Sequence, residues 1–245
     1  MSHGPLLGRD GVARVSSRVR CADRDARGPQ GYLAAVTRDW GEWHRRYDDP
    51  ATGHPQRLAV VVEQVTAALD RAGPGPIRVL SLCAGDGRDV AAAATGHPRA
   101  ADLTGCLVEL DRELCAAARA NLVPQGSHLE VRTADAGDPA VWADAVPVDL
   151  LLLCGIFGNV PDADIEWTAT ATTAMCAPGA TVIWTRHRRP PDLTPQTQAW
   201  FAAAGCTSIG FWSGGLGGFG VGAARFDGAT CPLDPSRRLF AFTAG

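Results

Sequence analysis

The sequence predicts an α/β fold: a mostly parallel seven-stranded sheet with helices on both faces and a C-terminal antiparallel hairpin. Three observations predict it. Short apolar runs alternate with stretches of helical periodicity from about residue 77 to residue 204, as expected for parallel strands buried on both faces. The run Val79-Leu80-Ser81-Leu82-Cys83 passes through Ala84-Gly85-Asp86-Gly87 into Arg88-Asp89-Val90, the order strand, glycine turn, helix. The last two apolar runs, 206–212 and 219–226, are joined by Gly214-Gly215-Leu216-Gly217-Gly218, which reads as an antiparallel pair.

Residues 1–29 carry Gly, Pro and scattered Arg and Asp with weak periodicity and are expected to be flexible or loosely docked. The segment 32–47 holds Tyr32, Trp40, Trp43, His44 and Tyr47. It is expected to be helical in part and to end before Pro50. Leu58, Val61, Val62, Val65, Ala68 and Leu69 recur at helical spacing, giving a helix over 55–72 that Gly73-Pro74-Gly75-Pro76 ends. A strand at 77–82 then leads to a helix at 87–95. A strand at 103–109 leads to a helix at 111–122, with Leu114, Ala117, Ala118 and Leu122 on one face. Strands at 129–132, 148–154 and 180–185 lead to helices at 138–144, 162–176 and 195–204. The division is an N-terminal extension, 1–54, and one α/β domain, 55–245.

Composition narrows the function. A chain of 245 residues with 46% hydrophobic content can bury a large single core. A net charge of −3 argues against broad nucleic-acid binding. All 23 basic residues are Arg and none is Lys, which excludes Schiff-base chemistry and a lysine base. The eight Cys, at 21, 83, 106, 115, 154, 176, 206 and 231, form no C-x-x-C and sit mostly in apolar runs. They read as buried hydrophobes, and no metal site is expected. The N-terminus lacks the apolar core of a signal peptide, and no apolar run reaches the roughly 18 residues of a membrane span. With free thiols, a cytoplasmic location is expected.

The second strand ends at Glu109, 22 positions after Gly87. Glycines that admit a ligand to the backbone, followed by a second-strand acid that accepts ribose hydroxyls, are how nucleotide-type cofactors are held. The third glycine of a dinucleotide motif is missing, because Val90 stands after Asp89. Asp86 and Asp89 would also place two negative charges where a pyrophosphate would lie. A cationic cofactor suits the turn better.

Over about residues 55–228 the chain resembles the class I S-adenosylmethionine-dependent methyltransferases, on the glycine turn, Glu109, Asp135 in Thr133-Ala134-Asp135-Ala136, and the terminal hairpin. The resemblance implies a Rossmann-like fold, S-adenosyl-L-methionine as cofactor and methyl transfer as the reaction. It implies that Ala84, Gly85, Asp86 and Gly87 wrap the methionine part, with Ser81 and Cys83 beneath them. Glu109, with Leu110 beside it, takes the ribose, and Asp135, with Ala136, meets the adenine amine. Cys154 and Gly155 line the cofactor. The family often has an acid at the place of Ser81, which here would reach the cofactor amine through water, and glycine at the place of Cys83.

Ligands of open α/β sheets bind beyond the carboxyl ends of the strands. The segments 154–159 and 185–189 point there. The family commonly folds an N-terminal segment over the cofactor as a lid, here 40–47. A base, where the acceptor needs one, falls to His44, His187 or Tyr47. Arg186, Arg188 and Arg189 flank His187, lower its pKa and could bind a carboxylate or phosphate of the acceptor. The run Cys154-Gly155-Ile156-Phe157-Gly158-Asn159 is not the Asn/Asp-Pro-Pro-Tyr/Phe tetrad of amide and base methylation. A small-molecule acceptor, attacked at O, N or C, therefore leads. The rivals are a non-catalytic S-adenosylmethionine-binding domain, motivated by Ser81 and Cys83, a nucleic-acid methyltransferase, and an NAD(P)-dependent oxidoreductase.

Overall fold

A computed structural model of the 245-residue chain describes Met1, residues 40–214 and residues 218–243. The expectations for 1–29, for 32–39 and for the hairpin turn 215–217 lie outside the described residues. The elements are α1 (Trp40–Arg45, followed by the 3-10 turn Arg46–Asp48), α2 (His54–Arg71), β1 (Ile77–Leu82), α3 (Arg88–Ala94), β2 (Leu103–Glu109), α4 (Arg112–Leu122), β3 (His128–Thr133), β4 (Val148–Leu153), α5 (Asp162–Met175), β5 (Cys176–His187), α6 (Thr194–Ala203), β6 (Cys206–Gly214) and β7 (Phe219–Phe226).

The sheet order is β3-β2-β1-β4-β5-β7-β6. The first five strands run parallel, and β7 lies antiparallel between β5 and β6. The order reverses between β1 and β4, the kind of switch point beside which open α/β sheets hold ligands at the carboxyl ends of their strands. The central strands are apolar on both sides because both sides are covered. Val79, Leu107, Leu150, Leu152 and Ile183 pack against α2, α3 and α4. Leu80, Leu82, Leu151, Leu153 and Trp184 pack against α5 and α6.

Three expectations are corrected. The helix expected at 138–144 is two 3-10 turns, Pro139–Val141 and Ala143–Ala145. The segment is organised around the fully buried Trp142, whose Nε1 donates to the Ala136 carbonyl at 3.0 Å, and not around a helical stripe. Strand β5 begins at Cys176 instead of 180. Val148 pairs with Cys176 and Leu150 with Thr181, so an irregularity between them absorbs Pro178-Gly179. Strand β4 also ends one residue early, leaving Cys154 in the loop that follows.

Among the described residues after β7 there is no regular element. The chain returns along α5 as a strap. Cys231 N donates to the Thr173 carbonyl at 2.8 Å, Leu239 N to Gly137 at 2.8 Å and Thr243 N to Asn159 at 2.8 Å. Leu239 and Phe240 are buried, and the Arg237 guanidinium lies 3.2 Å from the centre of the Trp167 ring. Among the described residues, no helix is long and apolar enough to cross a membrane.

Candidate active site

The turn after β1 takes its shape from residues with left-handed backbone. Gly85 has φ +58 and Gly87 φ +64, conformations that glycine adopts without penalty. Space matters as much. A Cβ on Gly85 would lie 2.0 Å from His44 Cε1, and one on Gly87 would lie 2.9 Å from Leu107 Cδ2. Cys83, where the family often has glycine, is left-handed too, at φ +55, and is the one non-glycine residue with positive φ among the described residues. That conformation costs an L-residue about 1–2 kcal/mol. Burial pushes the Cys83 thiol well above its usual pKa, and the Glu109 and Asp135 charges act in the same direction, so it stays protonated. Ser81 is buried within β1.

Glu109 ends β2 as a buried carboxylate. Its Oε2 accepts from Gly85 N at 2.8 Å, and its Oε1 accepts from Leu110 N at 2.8 Å and Asp111 N at 3.0 Å. The acid therefore holds the glycine turn itself. Three of about four acceptor directions of a carboxylate are used. One remains for a ligand hydroxyl, and a second would have to share. Burial raises the Glu109 pKa against the opposing pull of the three N–H groups. Leu110 is exposed.

The two acids at the start of α3 differ from the expected pair of bare charges. Asp86 Oδ2 is ion-paired with Arg88 Nη2 at 2.6 Å, and Arg88 Nη1 reaches Asp48 at 3.0 Å. Electrostatic repulsion of a pyrophosphate thus rests on Asp89 alone, and the missing third glycine carries more of that argument. Asp89 is buried, and desolvation lifts its pKa to about 6. Its folded pKa is raised above the unfolded value, so the group favours the fold below about pH 4 and costs stability as pH rises through 6. Asp89→Asn keeps an acceptor for Val90 N and is expected to add about 2–3 kcal/mol at pH 8 and nothing at pH 4. Thermal unfolding at the two pH values measures it.

The aromatic segment docks on this turn through Tyr47. Two guanidinium groups lie against the ring, Arg57 at 5.3 Å and Arg88 at 5.1 Å from its centre, and Arg57 Nη2 donates to the phenol oxygen. His44 and His54 flank the ring at 5.6 Å and 5.4 Å. Burial raises the phenol pKa, which keeps Tyr47 protonated near neutrality. Burial lowers the His44 pKa; Asp86 opposes this, and Arg88 and Arg57 add to it.

On the other side of the switch, Gly155 N donates to Thr185 Oγ1 at 2.8 Å and Asn159 Nδ2 donates to the Gly155 carbonyl at 2.8 Å. Cys154 is held as a thiol by burial. His187 lies against the same loop, its Cδ2 3.1 Å from where a Gly158 Cβ would stand. Its Nδ1 is buried without a hydrogen-bond partner. Burial lowers the His187 pKa first, and Arg189 and Arg186 add to it. Arg186 is buried and donates to the Phe157 carbonyl.

Asp135 lies at the mouth of the loop after β3. Its Oδ1 accepts from Gly137 N at 2.9 Å, and its Oδ2 pairs with Arg238 of the strap. Ala136 is buried in the core. His44 and Tyr47 thus gather on the glycine turn, His187 on the loop after β4 and Asp135 beneath the strap. Sequence reasoning missed Arg57 and Arg238. Arg57 sits inside a helix whose visible signal is its apolar stripe, and Arg238 sits where no periodicity exists. Among the described residues, no group of three or more His, Cys, Asp or Glu is placed to hold a metal ion.

The chain has the fold of the class I S-adenosylmethionine-dependent methyltransferases. It is similar to a crystal structure of the CurJ carbon methyltransferase, with a TM-score of 0.57 and 14% identity, over 78% of this chain and 59% of that one. The chain thus spans less than two thirds of the CurJ chain. It is similar to magnesium protoporphyrin IX methyltransferase from Synechocystis PCC 6803 with bound S-adenosylmethionine, with a TM-score of 0.57 and 11% identity, over 77% of this chain and 91% of that one. It is also similar to an O-methyltransferase family protein from Burkholderia thailandensis, with a TM-score of 0.51 and 16% identity, over 76% of this chain and 68% of that one. No family model matches the chain, and no curated protein matches it.

Proposed function

We propose that the protein is an S-adenosylmethionine-dependent methyltransferase acting on a small-molecule acceptor. The observation that carries this reading is Glu109, a buried strand-end carboxylate bonded to the backbone of the glycine turn, with an acceptor direction left over. The residues fit the cofactor. Glu109 would accept a ribose hydroxyl, Asp135 the adenine amine, and the backbone of 84–87 would follow the methionine part above Ser81 and Cys83. Cys154 and Gly155 would form the wall towards the acceptor. S-adenosylmethionine, when bound, supplies a methyl group on a sulfonium, which a nucleophile attacks in line.

The protein's own part is alignment, exclusion of water and, for a protonated acceptor, removal of a proton. His187 Nδ1 and the His44 imidazole are the candidate bases, and both side chains are shifted towards the neutral, proton-accepting form. Tyr47 serves instead to fix the lid on Arg57 and Arg88. Calorimetry tests the cofactor: micromolar S-adenosylhomocysteine binding without NADH binding supports the reading, and the reverse result overturns it. Release of S-adenosylhomocysteine with candidate acceptors separates an enzyme from a non-catalytic binder. Steeply salt-dependent retention on a polyanion resin would favour a nucleic-acid acceptor. A cytoplasmic location belongs to the same proposal and is supported by the seven free cysteines among the described residues.

The segment 40–47 acts in this reading as a lid. Saturating S-adenosylhomocysteine is expected to slow protease cleavage within it. Equal cleavage rates with and without the ligand would make it a fixed part of the domain.

A further inference from the structure

We infer that Arg238, on the C-terminal strap, is a positioning residue that sets the base selectivity of the cofactor pocket by fixing the carboxylate of Asp135. The inference rests on the cofactor reading above and goes beyond it, because nothing in the resemblance assigns a role to the segment after β7.

The strap is anchored on each side of Arg238. The Arg238 carbonyl accepts from Trp167 Nε1 at 3.2 Å. Leu239 N donates to Gly137 at 2.8 Å, and the Phe240 carbonyl stands 2.3 Å from where a Gly137 Cβ would be. Phe240 is 2% exposed, and Ala241 N donates to Asp164 Oδ2 at 2.9 Å. The backbone that carries Arg238 is thereby tied to the loop that carries Asp135. The two side chains meet at the rim, 43% and 47% exposed. An ion pair this exposed adds little to stability, so its consequence is geometric. Gly137 N holds one carboxylate oxygen and Arg238 the other. Two acceptor directions remain, on a carboxylate that is held at both oxygens.

A carboxylate fixed in this way accepts from an amine and repels a carbonyl. It therefore selects a 6-amino purine over a 6-oxo purine, and the selection depends on Arg238. The strap then continues to Thr243, whose N–H and hydroxyl both donate to the Asn159 carbonyl. The residue that orients the base subsite thus belongs to the segment that closes on the loop after β4.

The experiment compares binding of S-adenosylhomocysteine and S-inosylhomocysteine by calorimetry in the parent protein, Arg238→Met, Arg238→Gln, Asp135→Asn and the double variant Arg238→Met/Asp135→Asn. The parent is expected to prefer the adenosyl compound on the order of tenfold, the worth of one charged hydrogen bond. Arg238→Met and Arg238→Gln should keep the parent melting temperature within a few degrees and lower that preference roughly three- to tenfold. Asp135→Asn should abolish it, and adding Arg238→Met to Asp135→Asn should change it no further. An unchanged preference in both Arg238 variants overturns the inference. So does tighter binding of the adenosyl compound, which would make Arg238 a competitor for Asp135. A parent that binds neither compound removes the cofactor reading itself, and this inference with it.

Discussion

Glu109→Ala is expected to weaken S-adenosylhomocysteine binding tenfold or more and to destabilise the protein by about 2 kcal/mol, because hydrogen bonds to a charged group contribute roughly 1.5–3 kcal/mol. The two losses have one cause. The carboxylate that would take the ribose also takes Gly85 N, Leu110 N and Asp111 N. Removing it leaves three main-chain donors without their acceptor, one of them, Gly85 N, in a buried place, and releases the glycine turn. Glu109→Gln retains one acceptor oxygen and should fall between parent and alanine variant in both measurements. Calorimetry gives the affinity and chemical denaturation the stability. Full affinity in a folded Glu109→Ala would move the ribose contact to another residue.

One of His44→Ala and His187→Ala is expected to lose turnover by about 10²–10⁴, the usual worth of a general base, while still binding S-adenosylhomocysteine. The pH profile checks the assignment. Burial lowers both imidazole pKa values from the ordinary 6.5, so turnover should stay flat as pH falls to about 6.5 and drop only at lower pH than for an unshifted histidine. Both variants turning over at the parent rate would mean that catalysis proceeds by alignment alone. The same shifts bear on stability. A histidine whose folded pKa lies below its unfolded value costs stability as pH falls through 6.5. His54, lowered to about 4 chiefly by burial, acts the same way between pH 6.5 and 4.

The sheet was legible because parallel strands covered on both faces need nothing but apolar side chains. β1, β2 and β7 lie at the residues that this pattern marks. The glycine turn and Glu109 were legible because a backbone bend and a strand-end acid leave signatures one residue wide. The region 138–144 was misread because Trp142 organises it by filling a hole, and a hole has no periodicity. The start of β5 was misread because Pro178 and Gly179 look like a boundary, while the backbone irregularity that accommodates them is a property of the pairing with β4. The contacts of Arg57 and Arg88 with Tyr47 and the Arg238–Asp135 pair join residues 10, 41 and 103 positions apart. Contacts of that kind are properties of the folded molecule and have no local signal.

The position of β7 has a consequence for synthesis of the chain. β6 leaves the ribosome before β7, yet β7 is the strand that joins it to the sheet. Until Phe226 has emerged, the edge of β5 carries an unanswered row of hydrogen-bonding groups beside Ile183 and Trp184, and β6 has no neighbour. Open edges of this type are where nascent chains associate with one another. Newly made protein should therefore be most vulnerable to self-association in the interval between residues 214 and 226. A chain stopped there would be expected to aggregate although five of its seven strands are already paired.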